Sequence, residues 1–436
     1  MEVWALVMFL VLVAALLAGF PVAFTLGAVA GLFGAVFLGL GFFELLPLRI
    51  WGVMTNFTLL AVPLFVFMGV VLEKSGLAEE LLETMGMLFG RLRGGLALSI
   101  VLVGALLAAT TGVVGATVVT MGVIALPALL KHGYAPTLAT GTIAASGTLG
   151  QLIPPSIVLI LLGDVMGVPV GRLFVAAVLP GVLLIGLFLG WIAWVAWRRP
   201  AAAPALAAAG DGRLALRVAR SLVPPLLLMV AVLGSIFFGV ASPTESAAVG
   251  AIGALLLAAG HRRLTLAALQ DAMRHTTRLT SMVFLILVGA TAFGLVFRGM
   301  GGDALVHELM TALPGGRWGF LVVSMLLVFG LGFFLDFLEI CFIVVPILAP
   351  IAHYFGIDLL WFAVLIAVNL QTSFLTPPFG FSLFYLKAVA PPEVRIQHIY
   401  RGILPFVGAQ VLALAALLAF PDIALWLPDV MSAVQR

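Results

Sequence analysis

Ser146-Gly-Thr-Leu-Gly-Gln-Leu-Ile-Pro-Pro-Ser156 and Asn369-Leu-Gln-Thr-Ser-Phe-Leu-Thr-Pro-Pro-Phe379 interrupt two long apolar segments in the same way, 223 residues apart. A Pro-Pro pair cannot continue a helix: each proline lacks an N–H and crowds the preceding turn. In hydrocarbon a freed backbone carbonyl needs a partner, so such a break persists only where protein or a wet cavity surrounds it. Matched breaks in two halves of one chain are the sequence signature of a secondary transporter's binding site.

Composition makes the setting a membrane. Of the 436 residues, 64% are hydrophobic and 9% charged, against roughly 25% charged in a soluble domain. No charge falls between Val3 and Phe43, and uncharged runs recur at 94–130, 133–163, 173–197, 221–244, 279–297, 359–386 and 402–421. Many reach the ~20 residues that a spanning helix needs. A β-barrel would instead show ~10-residue alternating segments. The lone Cys341 permits no internal disulfide. The start Met1-Glu2-Val3-Trp4 lacks the basic region of a cleaved signal peptide, so a retained helix is expected there.

The expected fold class is an all-α polytopic membrane protein with about ten spanning helices and two re-entrant hairpins in an inverted repeat. Spans are predicted near 3–20, 22–43, 56–73, 136–164, 172–197, 221–241, 244–260, 279–298, 360–387 and 402–421. Residues 94–130 and 319–355 fit poorly as spans. Split at Thr110-Thr-Gly-Val-Val-Gly115, the first gives arms of about 17 residues, ~25 Å each at 1.5 Å per residue, short of a crossing with a turn. The second has a polar tip at Asp336-Phe-Leu-Glu339.

With the N-terminus outside, 16 of the 21 Lys and Arg residues fall in inside loops, as the positive-inside rule requires. The two hairpins then enter from opposite faces. At the offset of 223, Pro154-Pro155 falls on Pro377-Pro378, Ser146 on Asn369 and Pro127 on Pro350. The expected organisation is scaffold helices over 1–93, a first transport repeat over 94–198, a linker, scaffold and interfacial helix over 199–318, and a second transport repeat over 319–436. Residues 77–92 and 264–278 are amphipathic and suit helices on the cytoplasmic surface. The Ala- and Pro-rich 200–213 reads as a flexible linker, and Pro224-Pro225 as a helix start.

Thr148, Gln151 and Ser156 in one break, and Asn369, Gln371, Thr372, Ser373 and Thr376 in the other, set hydroxyls and amides beside freed carbonyls. Neutral oxygens suit a hard monovalent cation such as Na⁺. Half-helix N-termini after each Pro-Pro can face an anion. In the first tip Thr110, Thr111, Gly112, Gly115 and Thr117 offer hydroxyls and close backbone approach, or plain small-residue packing. Asp336 and Glu339 are intramembrane acids, and equally a capping box that starts the next arm. Ser242-Pro243-Thr244-Glu245 is a complete helix start. The six histidines are scattered, and no nucleotide, hydrolase or zinc motif appears. No enzyme and no organic cofactor are expected. An intramembrane aspartyl enzyme would need Tyr-Asp and Gly-x-Gly-Asp signatures, which are absent.

Thr148-Leu-Gly-Gln-Leu-Ile-Pro-Pro-Ser-Ile157, Gly239-Val-Ala-Ser-Pro-Thr-Glu-Ser-Ala-Ala-Val-Gly250, Gly332-Phe-Phe-Leu-Asp-Phe-Leu-Glu-Ile340 and Asn369 to Phe381 together resemble the large membrane subunit of the tripartite ATP-independent periplasmic (TRAP) transporters. The likeness covers essentially the whole chain. It implies an elevator-type, Na⁺-driven importer of organic acids in the bacterial inner membrane. Its partners would be a small four-helix membrane subunit and a periplasmic substrate-binding protein. It places cations at Thr110, Thr111, Gly112 and Thr117 with Ser146, Thr148 and Gln151, and at Asp336 and Glu339 with Asn369, Thr372 and Thr376. Substrate would lie between, against Gly147, Pro154, Pro155, Ser156, Gln371, Ser373, Pro377 and Pro378. The first tip departs from the family's Ser-rich run. The Leu-Asp-Phe-Leu-Glu-Ile stretch resembles members associated with 2-oxo, hydroxy or aromatic acids. A stand-alone Na⁺/carboxylate transporter of the same superfamily is the alternative.

Overall fold

All regular elements among the described residues are helices. The computed structural model describes residues 1–112, 114–206 and 214–434, with side chains except at 78, 110, 111, 214, 215 and 434. Seven helices are long and apolar enough to cross a membrane, or eight if Leu40–Met54 and Thr58–Lys74, bent by 54°, make one span. Several expected spans are shorter. Glu2–Leu17 and Val22–Phe37 have 16 residues each, and the two proline-broken segments are divided.

The first hairpin has arms Gly95–Thr111 and Val114–Lys131, followed by the broken helix Pro136–Thr148 and Ile157–Met166. The second has arms Arg317–Leu331 and Phe337–Tyr354, the latter with a π-helical stretch at Ile340–Val344, followed by Leu359–Leu375 and Phe381–Val389. Adding 223 to Val114–Lys131 gives 337–354, the bounds of the corresponding arm. Adding it to Ile157–Met166 gives 380–389, one residue from Phe381–Val389. The register seen in the prolines therefore extends through whole elements.

Packing is reciprocal between the repeats. Ile157–Met166 packs on the second arm of the second hairpin, and Phe381–Val389 packs on the second arm of the first. Exchange of this kind is what a two-fold axis produces. Thr148 and Gln371 are equivalent at the same offset (148 + 223 = 371), and they hydrogen-bond to each other. They mark where the pseudo-two-fold axis passes. Each hairpin also crosses its broken helix at the same level. A Cβ on Gly150 would stand 3.2 Å from the Ala108 Cβ, and one on Gly332 2.2 Å from the Ser373 Oγ. At 150 + 223 = 373 the glycine has moved from the broken helix to the hairpin arm.

Four expectations change. Residues 264–278 do not form a separate surface helix: Leu266–Gly299 is one 34-residue helix, because no glycine or proline precedes Gly289 to end it. Pro224 and Pro225 lie inside Leu214–Phe237 rather than at its start. The linker is docked over its described part. Ala202 O accepts from Ala135 N, Ala203 O from Gly94 N, and Leu206 N donates to Gly90 O, at 3.0, 2.9 and 2.7 Å. Residues 207–213 lie outside the described residues. Helices at Leu46–Met54, Gly302–Thr311 and Asp422–Val434 add to the predicted set. Residues 77–92 do form a helix, Leu77–Phe89, and Ser242 and Glu245 close the expected capping box.

The last long helix, Ile396–Ala419, meets the first broken helix backbone to backbone. A Cβ on Gly402 would stand 2.0 Å from the Thr137 carbonyl oxygen, whereas Gly408 of the same helix has nothing within 4 Å. Gly402→Ala is expected to destabilise the purified protein by ~1–3 kcal/mol, the usual cost of overpacking, and Gly408→Ala to leave it unchanged. Thermal midpoints in detergent check this; equal midpoints for the two variants refute the crossing.

Candidate functional site

The first broken helix ends in a 3₁₀ turn, Leu149–Gln151, and resumes at Ile157 behind the extended Ser156. The second turns extended at Thr376 and resumes at Phe381. Both Pro-Pro bonds are cis. The carbonyls freed by the missing N–H groups are recapped alike. Ser156 Oγ donates to Gln151 O at 2.7 Å, and Ser382 Oγ to Phe374 O at 2.8 Å. Gln151 and Phe374 are equivalent positions (151 + 223 = 374). Tyr400 Oη further donates to Pro378 O at 3.0 Å.

The remaining hydroxyls of the breaks donate into their own helices. Ser146 donates to Thr142 O, Thr148 to Ala145 O, Thr372 to Val368 O, Ser373 to Leu370 O and Thr376 to Thr372 O, all at 2.6–2.8 Å. With its hydrogen engaged, each oxygen keeps lone pairs for a cation or a donor. Thr148 Oγ1 uses them to accept from Gln371 Nε2 and Gln410 Nε2, each at 3.4 Å. Around this point both amide atoms of Gln151 and the Oε1 atoms of Gln371 and Gln410 are buried without a partner among the described residues. A buried unpaired polar atom costs ~1–3 kcal/mol, so a cluster of four calls for water or an ion to complete it. Three of the four are neutral carbonyl oxygens, which fit Na⁺, and the fourth, Gln151 Nε2, is a donor that suits water or an anion. Gln410 was not among the sequence candidates. Its signal was available, since it is the lone side-chain hydrogen-bonding group in the run 402–421.

The first hairpin touches both broken helices. A Cβ on Gly112, at φ +61°, would stand 3.2 Å from Ile157, one on Gly147 2.3 Å from Val118, and one on Gly115 3.1 Å from the Tyr385 ring. Thr117 is buried. The side chains of Thr110 and Thr111 lie outside the described residues. At the second tip, Asp336 Oδ1 accepts from Phe337 N and Glu339 Oε2 from Asp336 N, both at 2.7 Å. The two acids thus form the capping box. Among the described hydrogen bonds neither reaches Asn369, Thr372 or Thr376; Asn369 Nδ2 donates instead to Met325 O at 2.7 Å. The tip meets the second break through aromatic rings, Phe337 with Phe374 at 6.3 Å and Phe334 with Phe379 at 5.4 Å. The breaks differ in access. Pro154, Pro155 and Ser156 are buried, Pro377 is half-buried and Pro378 is exposed.

These two halves, with paired breaks and hairpins, match known proteins along nearly their whole length. The family model described as the tripartite ATP-independent periplasmic transporter, DctM component, matches residues 7–423. The chain belongs to the DctM family of TRAP large permeases. The C4-dicarboxylate TRAP transporter large permease of Pseudomonas aeruginosa is 32% identical over 88% of this chain and 89% of its own. The sialic acid large permease of Vibrio cholerae is 30% identical over 95% and 96%, and the ectoine large permease of Halomonas elongata 30% over 97% and 98%. Among solved structures, the YdaH transporter of Alcanivorax borkumensis superposes with a TM-score of 0.64 over 95% of this chain and 98% of that one, at 17% identity. The DctM fold is thus that of a multi-pass membrane transporter, and its relatives are named as permeases.

Ser156→Ala and Ser382→Ala would each leave a buried carbonyl unpaired. Each is expected to lower stability by ~1–3 kcal/mol, read as a fall in the thermal midpoint. Unchanged midpoints in both variants would show that the serines do not cap the breaks.

Proposed function

We propose that this DctM chain imports a small organic acid, coupled to Na⁺ and delivered by a periplasmic binding protein, together with a small four-helix membrane subunit in the bacterial inner membrane. The observation that carries this is the set of incompletely paired buried amides near the pseudo-two-fold axis, beside the two helix breaks and the first hairpin tip. Ser146, Thr148 and Gln151 with the first tip form one cation set, and Asp336, Glu339, Asn369, Thr372 and Thr376 the other. Na⁺ supplies positive charge and ordering at sites built from hydroxyl and amide oxygens, joined in the second set by the two acids. Gly147, Pro154, Pro155, Ser156, Gln371, Ser373, Pro377 and Pro378 line the space for a carboxylate, which the half-helix N-termini attract.

The transport motion is an elevator: the hairpins and broken helices travel together against the remaining helices. Two features support it. The hairpin tips stop beside the breaks, partway along their helices, as re-entrant loops do. The scaffold helix Ala61–Lys74 is tied to this core at its two ends by short polar links. Asn56 Nδ2 donates to Asp164 Oδ1 at 2.6 Å, and Thr120 Oγ1 to Glu73 Oε1 at 2.7 Å. Apolar packing between such links resists sliding little. With the N-terminus outside, Tyr400 and Arg401 lie at the inner face. The exposed Pro378, bonded to Tyr400, then opens inward.

Reconstituted with both partners, the protein is expected to lose at least tenfold of its uptake when K⁺ replaces Na⁺; uptake at the same rate without Na⁺ would overturn the coupling. Access has its own readout. Cys341 is fully buried, so the wild-type protein is a silent background for thiol labelling. A Phe379→Cys variant is expected to react with an impermeant maleimide supplied to the inner face, and Ser156→Cys from neither face. Labelling of residue 379 solely from outside would reverse the orientation.

A further inference from the structure

Away from the breaks, a cleft of about 440 Å³ opens between the end of Val170–Arg198, the start of Pro136–Thr148 and the beginning of Ile396–Ala419. Arg199 and Arg401 line it, and among the described residues no carboxylate does. Neither guanidinium has an ion pair or side-chain hydrogen bond among the described residues. One wall is a pair of stacked tryptophans, Trp191 and Trp194, with ring centroids 4.9 Å apart. The Trp194 side is 48% exposed. Beside them Arg198 stands over the Trp197 ring at 5.7 Å.

We propose that this cleft holds the headgroup phosphate of an anionic phospholipid, clamped between Arg199 and Arg401, with the acyl chains lying along Trp191 and Trp194. Two uncompensated guanidiniums at one site demand an anion, and arginine forks match phosphate geometry. Tryptophan belongs at the headgroup level, with its ring against acyl chain and its N–H toward water. A soluble phosphate would have no use for that wall. The inner-leaflet assignment rests on the orientation proposed above, whereas the lipid site does not. Its position gives it consequence. It adjoins the Gly402–Thr137 crossing of the two repeats, and Ala202, whose carbonyl anchors the linker to Ala135. A lipid there bridges the linker, the first broken helix and the last long helix.

The test is lipid retention by the full-length protein, measured by native mass spectrometry in detergent with added phosphatidylglycerol or phosphatidylcholine. Wild type is expected to retain phosphatidylglycerol in preference. R199Q/R401Q is expected to bind it about 30-fold more weakly, since each arginine near a charged headgroup is worth ~1 kcal/mol and ~1.4 kcal/mol is a decade. R199K/R401K, which keeps both charges, should retain most of the binding, and R49Q/R172Q, outside the cleft, should match wild type. Excess inorganic phosphate should not displace the lipid. Equal retention by wild type and R199Q/R401Q, no preference over phosphatidylcholine, or displacement by inorganic phosphate would each overturn the proposal. Because the readout is mass and not uptake, a failure of Na⁺ coupling would leave this result untouched.

Discussion

A backbone carbonyl stripped of its helical donor inside an apolar layer must find another, and that requirement organises this protein. Each Pro-Pro pair creates such carbonyls halfway along a helix. Serines from beyond each break answer at Gln151 and Phe374. Once the carbonyls are capped, the break can be surrounded by hairpin arms rather than water. Glycine then sets how near those arms come, at Gly147 and Gly150 in one repeat and Gly332 in the other. The close crossings hold the breaks in place, and the breaks in turn bring polar groups to a depth where polar groups are scarce.

Apart from two acids, what gathers there is neutral. The hydroxyls are engaged as donors within their own helices, the amides of Gln151, Gln371 and Gln410 are incompletely matched, and the two acids of the second tip serve as a helix cap. A site of permanent charge would hold its ligand and resist crossing an apolar interior. Amide and hydroxyl oxygens carry no such fixed charge. Relatives that carry dicarboxylate, sialic acid and ectoine in their names match this chain along most of its length.

Local chemistry was legible from the residues alone. Proline breaks and the Ser242 and Asp336 capping boxes depend on neighbours a few positions away, the offset of 223 shows as a repeated spacing of such breaks, and all appear in the structure. What escaped depends on contacts across the chain. Gln410 acquires meaning only because its helix packs against Thr148, 262 residues distant. Ser382 lies beyond the second break, and only the folded chain turns it to the carbonyl of Phe374. The linker seemed free because alanine and proline carry no side-chain signal, yet its backbone is held by Gly90, Gly94 and Ala135. Charged residues at 271–278 suggested a surface helix, but charge on one face does not end a helix that lacks glycine or proline.

Thr148 and Gln371 are equivalent positions of the two repeats, and they touch. Had the halves stayed identical, like would have met like across the pseudo-two-fold axis, and the two repeats would have been equal there. A short hydroxyl facing a long amide removes that equality. The contact at the centre of the molecule is thereby directional, with the donor on one repeat and the acceptor on the other.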